Sequence, residues 1–281
     1  MFDVFFSSYN SIIKISLNSD EYNTMLNDEF LYSYIPSLKI LNVDQKNFDA
    51  SIRVIKDFKN YIAFSYPSIE YHYIDFDSKD VISLIEYVFE RARCEKGIIC
   101  IHGAGAIIND SLIVSWGGAT GMGKTSLALE LSKYGEFYSD EKILIDLNRR
   151  YGVGRINRQY ISNDYWRQKY NTTDKYIEFN NDLDEYKINL FIQPILCDSN
   201  DCVFDKWNSD KFMWHLYEES SRKIRGTSRM FFKNTYPAES LDTFEVSIKR
   251  LNLIKEFCKN ITALYYKGNV DYIVDKIRMD Y

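Results

Sequence analysis

The stretch Gly118-Ala119-Thr120-Gly121-Met122-Gly123-Lys124-Thr125 stands between an apolar run, SLIVSW, and a Leu/Ala-rich run, TSLALELSK. It is a complete match to G-x-x-x-x-G-K-[ST]. The pattern constrains the fold because it needs a strand that ends where the loop begins and a helix that starts where the loop closes. Glycines let successive backbone N–H groups turn inward around an anion, where a Cβ would obstruct it. A phosphate so held meets the positive N-terminus of the next helix. Lys124 then bridges β- and γ-phosphates, and the Thr125 hydroxyl is placed to ligate Mg²⁺. Residues Gly118 to Ser126 are thus the expected ATP-binding loop, and Leu127, Ala128 and Leu131 share one face of the helix behind it.

The 281 residues allow roughly two domains at about 150 residues each. Up to residue 76 the chain reads as short strands broken by polar turns: FDVFF, SIIKISL, LKILNV, SIRVIK, YIAFSY and EYHYIDF. A helix is expected from Ser78, whose hydroxyl would cap it, with Asp80 at its start and Arg91–Arg93 at its end as the helix dipole prefers. The boundary falls in or near this helix, giving a β-rich N-terminal domain with linking helix (1–90) and a second domain (91–281). In that second domain GIICIHGAGAII and SLIVSW flank Asn109-Asp110, a hairpin signal because Asn and Asp tolerate positive φ. Strands at EFY, KILIDL, KINLFIQPIL and ITALYYK follow, with helices near 210–223, 240–259 and 269–278. Helices after strands indicate an α/β class.

Composition excludes several functions. With 46% apolar and 27% charged residues, 12 Gly and 4 Pro, the chain is neither collagenous nor disordered. The 23 Tyr, 18 Phe and 4 Trp, 16% of the chain, can build a sizeable core with hydroxyls at its wet edge. A net charge of −5 argues against a general nucleic-acid binder. No run approaches the roughly 18 apolar residues of a membrane span. Asp3 stands where a signal peptide would carry a cation. Five cysteines without a C-x-x-C pair fit a reducing compartment, so a cytoplasmic location is expected, and with three histidines a zinc site is not.

Phosphoryl transfer needs carboxylates close to the nucleotide. Two places compete. Asp146 follows the apolar run ILI, the form of a metal-holding strand. Asp140 and Glu141 are adjacent, and on a continuing strand they would face opposite ways and take different tasks.

The run IHGAGAII…SLIVSWGGATGMGKTSLALELSKYGEFYSDEKILID, within residues 98–146, resembles the catalytic core of the HPr kinase/phosphorylase family. The resemblance implies a P-loop α/β kinase core like that family's C-terminal domain, preceded by a small β-rich domain, and a kinase dependent on ATP and Mg²⁺. It makes Asp140 the base that takes the hydroxyl proton and sets His102 beside it, tuning its charge. Glu141 stands where the family usually has a second Asp, to hold Mg²⁺ or contact substrate. Lys124 and Thr125 keep the loop's roles. The family's Arg-Gly-x-Gly loop is missing after the acid pair, and Lys223-Ile-Arg225-Gly226-Thr-Ser resembles a fragment of it far later in the chain. The expected acceptor is therefore not HPr itself but a hydroxyl, foremost a Ser or Thr of a peptide or protein. A small-molecule acceptor such as free serine, or a nucleotide-binding regulator without transfer, are the alternatives. Homo-oligomers are common among such relatives.

Other residues carry weaker signals. Arg222, Lys223, Arg225 and Arg229 are either dipole-favoured cations at a helix end or the source of an Arg for the transferring phosphate, with Arg155 and Arg158 as rivals. His72 and His215 show no partner pattern and read as structural or exposed.

Overall fold

The computed structural model describes residues 1–41, 47–117, 121–156, 185–198, 202–227 and 229–280, and the backbone alone of 158–160 and 176–178. The protein is mixed α/β and divides into two compact units. Met1–Arg93, Ile156–Asp182 and Lys223–Asp242 form the first; Cys94–Arg155, Leu183–Arg222 and Thr243–Tyr281 form the second. The sequence places one boundary after residue 90; the chain first crosses after Arg93 and later returns two segments to the first unit.

The first unit opens with the antiparallel pair β1 (Phe2–Ser8) and β2 (Ser11–Leu17). After α1 (Ser19–Leu26) and α2 (Glu29–Tyr34) come β3 (Leu38–Leu41), β4 (Ala50–Lys56), β5 (Tyr61–Ser65), β6 (Ser68–Tyr73) and α3 (Ser78–Glu95). The sheet order is β3-β1-β2-β4-β6-β5. Period-two alternation shows in β2, where Ser11, Ile13, Ile15 and Leu17 are buried.

Two expectations change here. Residues 19–26 and 29–34 are helical rather than turns: at the first helix the Asn18 side chain accepts the Glu21 N–H at 2.9 Å and the Glu21 carboxylate accepts the Asn18 N–H at 2.8 Å, a capping box, and at the second Asp28 accepts the Phe30 N–H at 3.0 Å. At α3, Ser78 is the first helical residue and its hydroxyl donates to Asp28, while Asp77 accepts the Lys79 N–H at 2.9 Å and acts as the cap.

The cationic end of α3 is buried. Arg93, with no exposed surface, lies 3.1 Å from Glu86 and 3.5 Å from Glu90 and donates to the Ser8 hydroxyl at 2.8 Å. Acids three and seven residues back fall on one helix face and compensate the buried charge. His72 is buried, stacked on Tyr61 at 4.1 Å with Nδ1 2.9 Å from Asp57, which is a structural role.

The second unit begins with β7 (Ile98–Ile101), β8 (Gly103–Ile108), β9 (Ser111–Trp116), α4 (Lys124–Leu131), β10 (Glu136–Ser139), β11 (Ile143–Asp146) and β12 (Tyr151–Arg155). The first returning segment carries the antiparallel pair β13 (Arg158–Tyr160) and β14 (Tyr176–Glu178). β15 (Tyr186–Leu196), β16 (Val203–Lys206) and α5 (Ser209–Arg225) follow. The second returning segment holds β17 (Met230–Phe231) and β18 (Tyr236–Pro237), and α6 (Phe244–Cys258), β19 (Thr262–Gly268) and α7 (Val270–Asp280) complete the chain.

The main sheet runs β10-β8-β9-β15-β12-β11-β7, with β19 on β15 and β16 on β19. β9 and β19 each pair in parallel with β15, so the carboxyl ends of the three strands share one edge of the sheet. Asn109 and Asp110 take φ of 48° and 59° and close the expected hairpin between β8 and β9. The run GIICIHGAGAII is split at His102: β7 pairs with β11, whereas β8 pairs with β9 and β10.

Alternate residues of β9 and β15 serve two cores. Ile113, Leu190 and Ile192 pack with Leu127 and Leu131 of α4, and Trp116 and Phe191 pack with Phe212 of α5 and Phe257 of α6. Phe191 is fully buried, with ring centroids 5.6 Å from Trp116 and 5.0 Å from Phe212. Phe191→Ala is expected to cost about 3–5 kcal/mol, read as a lower midpoint in chemical denaturation. Among the described residues no helix is long and apolar enough to cross a membrane.

Candidate functional site

The site lies in the second unit, at the edge where β9 ends. Gly117, Gly121 and Gly123 take φ of 73°, 88° and 97°, a region open to glycine at little steric cost. Gly123 is the N-cap of α4, and its carbonyl accepts the Leu127 N–H at 2.9 Å. The loop is seated on the end of β15: the Leu196 N–H donates to the Met122 carbonyl at 3.0 Å, and a Cβ on Gly123 would stand 2.5 Å from the Leu196 side chain. Lys124 is buried as the first residue of α4, and Ser126 is exposed in its first turn. Gly118, Ala119 and Thr120 lie outside the described residues.

The acids come from the turn after β10. Strand pairing stops at Ser139, and Glu141 has φ of 73°. The two acids therefore do not alternate across a strand as expected, because a left-handed residue breaks the pleat. Asp140 Oδ1 accepts the Thr125 hydroxyl at 2.9 Å. Burial is the main reason its carboxyl sits above the usual carboxylate range; the Thr125 hydrogen bond works against this, and the Glu141 charge adds to it. Glu141 is more than half exposed and turns toward His102, whose Nδ1 lies 3.0 Å from the Glu141 carbonyl and 3.5 Å from its carboxylate. A ring that donates from Nδ1 to that carbonyl is held in place with Nε2 turned outward.

α5 adds a residue with no motif behind it. The Glu219 carboxylate accepts the His102 N–H at 3.4 Å. Its position on the helix, three residues past the buried Leu216, gives no warning that the helix passes the break between β7 and β8.

Other candidates are occupied elsewhere. Asp146, at the far end of β11, accepts the N–H groups of Asn148 and Arg149, both at 3.0 Å, and caps a turn. Arg155 donates to the Tyr138 carbonyl at 3.0 Å and lies over the Tyr138 ring. Arg222 is exposed and 3.4 Å from Glu218. Lys223, Arg225 and Arg229 belong to the first unit, where Arg225 pairs with Asp242 at 3.0 Å and Arg229 donates to the Ser83 carbonyl at 2.7 Å. The Arg158 side chain lies outside the described residues. His215 stacks on Trp207 at 4.6 Å.

Thr125, Asp140, Glu141, His102 and Glu219 are thus linked in one chain of contacts beside a buried ammonium and a helix N-terminus. The oxygens of Thr125 and Asp140, joined by a 2.9 Å hydrogen bond, are hard donors of the kind Mg²⁺ takes. The residues present therefore suit a hard divalent cation and an anion side by side. No protein-family model matches the chain, and no curated protein matches it.

Proposed function

We propose that the second unit carries a P-loop kinase core resembling the HPr kinase C-terminal domain, and that it transfers the γ-phosphate of ATP to a hydroxyl, foremost a Ser or Thr of a peptide or protein. The contact that carries this reading is Thr125 to Asp140 at 2.9 Å, which joins the helix after the glycine loop to a half-buried acid 15 residues later. A glycine loop alone binds anions; a basic carboxylate held at its mouth adds the means to remove a proton.

In this reading the acceptor oxygen forms a bond to the γ-phosphorus while the bond to the β–γ bridging oxygen breaks, and ADP leaves. Asp140 takes the acceptor proton. Its raised pKa makes the ionised form a stronger base than an exposed Asp, and His102 beside it steadies the charge before transfer. Lys124 and the loop amides neutralise the phosphate oxygens. Thr125 with an acid of the turn, Asp140 or Glu141, would hold Mg²⁺, which supplies charge compensation for the phosphates when bound. Glu141, more exposed, can also meet the acceptor.

The test incubates the protein and Mg²⁺ with γ-labelled ATP and, separately, Ser/Thr peptides, free serine and cell extract. Label on a peptide or protein hydroxyl is the expected result. Label on serine alone would replace the acceptor class, and label only in inorganic phosphate, at a rate no acceptor alters, would favour a nucleotide-driven switch. Failure to bind nucleotide would overturn the reading altogether.

A further inference from the structure

We infer that Gln193 is a further catalytic residue of this site, its side-chain amide contacting both the transferring phosphate and the incoming hydroxyl; the inference rests on the kinase reading above. Pairing between β15 and β9 ends at Ile192 opposite Ser115, and β15 continues from Gln193 to Leu196 against β19 alone. The sheet is therefore open on one side of Gln193, just where the chain leaves β9 for the glycine loop. Ligands of parallel sheets bind in such crevices beyond the strand ends. Pro194, without an N–H to donate, is tolerated beside that opening.

The loop is anchored at both ends of this short stretch. It returns onto Leu196 through the Met122 carbonyl, and it departs over Gln193: a Cβ on Gly117 would stand 3.0 Å from Gln193 Nε2. Gly117, with φ of 73°, leaves the space the amide fills. Side-chain parity fixes the direction. Gln193 is two residues beyond Phe191, so it shares the face of Phe191 and Trp116, not that of Leu127 and Leu131 under α4. α5 packs on that same face and brings Glu219 to His102. Gln193 is half-buried, and no hydrogen bond joins its side chain to another described residue.

An amide supplies two donors and one acceptor at once. Lys124 can only donate, and ionised Asp140 can only accept. Gln193 can donate to a γ-phosphate oxygen while its carbonyl accepts the acceptor hydroxyl, aligning oxygen and phosphorus. This alignment gains its full strength only as charge builds on the transferring group, so it belongs to the rate rather than to nucleotide binding.

The test compares the full chain with Gln193→Leu and Gln193→Glu, each checked for unchanged thermal unfolding. ADP with Mg²⁺ is titrated with and without aluminium fluoride, which completes a mimic of the phosphate in flight. The parent is expected to bind ADP more tightly with fluoride. Both variants are expected to bind ADP alone within about twofold but to lose about 10²-fold of the fluoride-dependent gain, the scale of one transition-state donor. The same fluoride gain in the variants, or none in the parent, would overturn the role of Gln193 while leaving nucleotide binding intact. No ADP binding by the parent would instead sink the kinase reading. If only Gln193→Leu unfolds, Gln193→Glu decides.

Discussion

An Asp140→Asn variant is expected to bind ATP within about twofold of the parent and to transfer phosphate about 10²–10⁴-fold more slowly, the range that a positioned general base supplies. The amide oxygen of the variant can still accept the Thr125 hydroxyl now held at 2.9 Å, so the turn stays seated, but it cannot take a proton. The pH dependence follows. Only ionised Asp140 is a base, so transfer falls as pH drops through its folded pKa. Burial raises that pKa in the unliganded protein, and the residual rate of Asp140→Asn should lack the acid limb that an ionisable Asp140 gives the parent. Stability moves the other way. A carboxyl whose pKa is raised by folding contributes stability below its unfolded pKa and loses it as pH rises through the folded one. Asp140→Asn should therefore be at least as stable as the parent near pH 7, with the difference shrinking on acidification. Denaturation curves at neutral and acid pH, together with nucleotide titration and transfer rates, check the three effects. Transfer at the parental rate would remove Asp140 from the chemistry.

Gly123→Ala is expected to damage both stability and binding. A Cβ there would stand 2.5, 2.6 and 2.8 Å from three atoms of Leu196, one of them its Cβ, so rotation of the side-chain tip cannot relieve the clash. The φ of 97° adds backbone strain. Left-handed strain and overpacking together are worth about 2–5 kcal/mol. Displacing the loop from Leu196 by an ångström should lower nucleotide affinity about 10²-fold, since anion-binding amides act only when aimed. Gly121→Ala is the control. No atom of the described residues lies within 4 Å of its added Cβ, so the backbone contribution of about 1–2 kcal/mol is what remains among them. Equal losses in the two variants would show that packing on Leu196 does not seat the loop.

What the sequence discloses follows from range. The hairpin at Asn109-Asp110, the strand before the glycine loop and the apolar face of α4 are written in neighbouring residues, and each is found where the local pattern puts it. The helix at 19–26 is also legible, through the Asn18 and Glu21 pair, but the polar residues around it read as turn. Arg93 shows what the sequence leaves out: the helix dipole accounts for a cation at that end, but not for its burial against Glu86 and Glu90. The site divides in the same way. Lys124 and Thr125 are singled out by the motif, whereas Asp140 competes with Asp146 in the residues alone and is preferred only through the resemblance to the HPr kinase family. Glu219 and Gln193 reach the site only because a helix crosses one strand break and one strand outruns its neighbour, and neither event leaves a local mark. The left-handed Glu141 could not be foreseen, since an acid in that conformation differs in no way from one on a strand.

The passage of the chain back and forth between its units governs how it can be made. Asp80, Ile62 and Tyr87 of the N-terminal segment find partners in Phe232, Tyr236 and Ile224, which are translated much later. At about 5–20 residues per second, these groups wait on the order of ten seconds on the ribosome before their counterparts emerge. The leading unit thus cannot finish first in the usual vectorial manner. A nascent chain halted after Arg93 would expose its unfinished part to chaperones and proteases until residues 223–242 emerge.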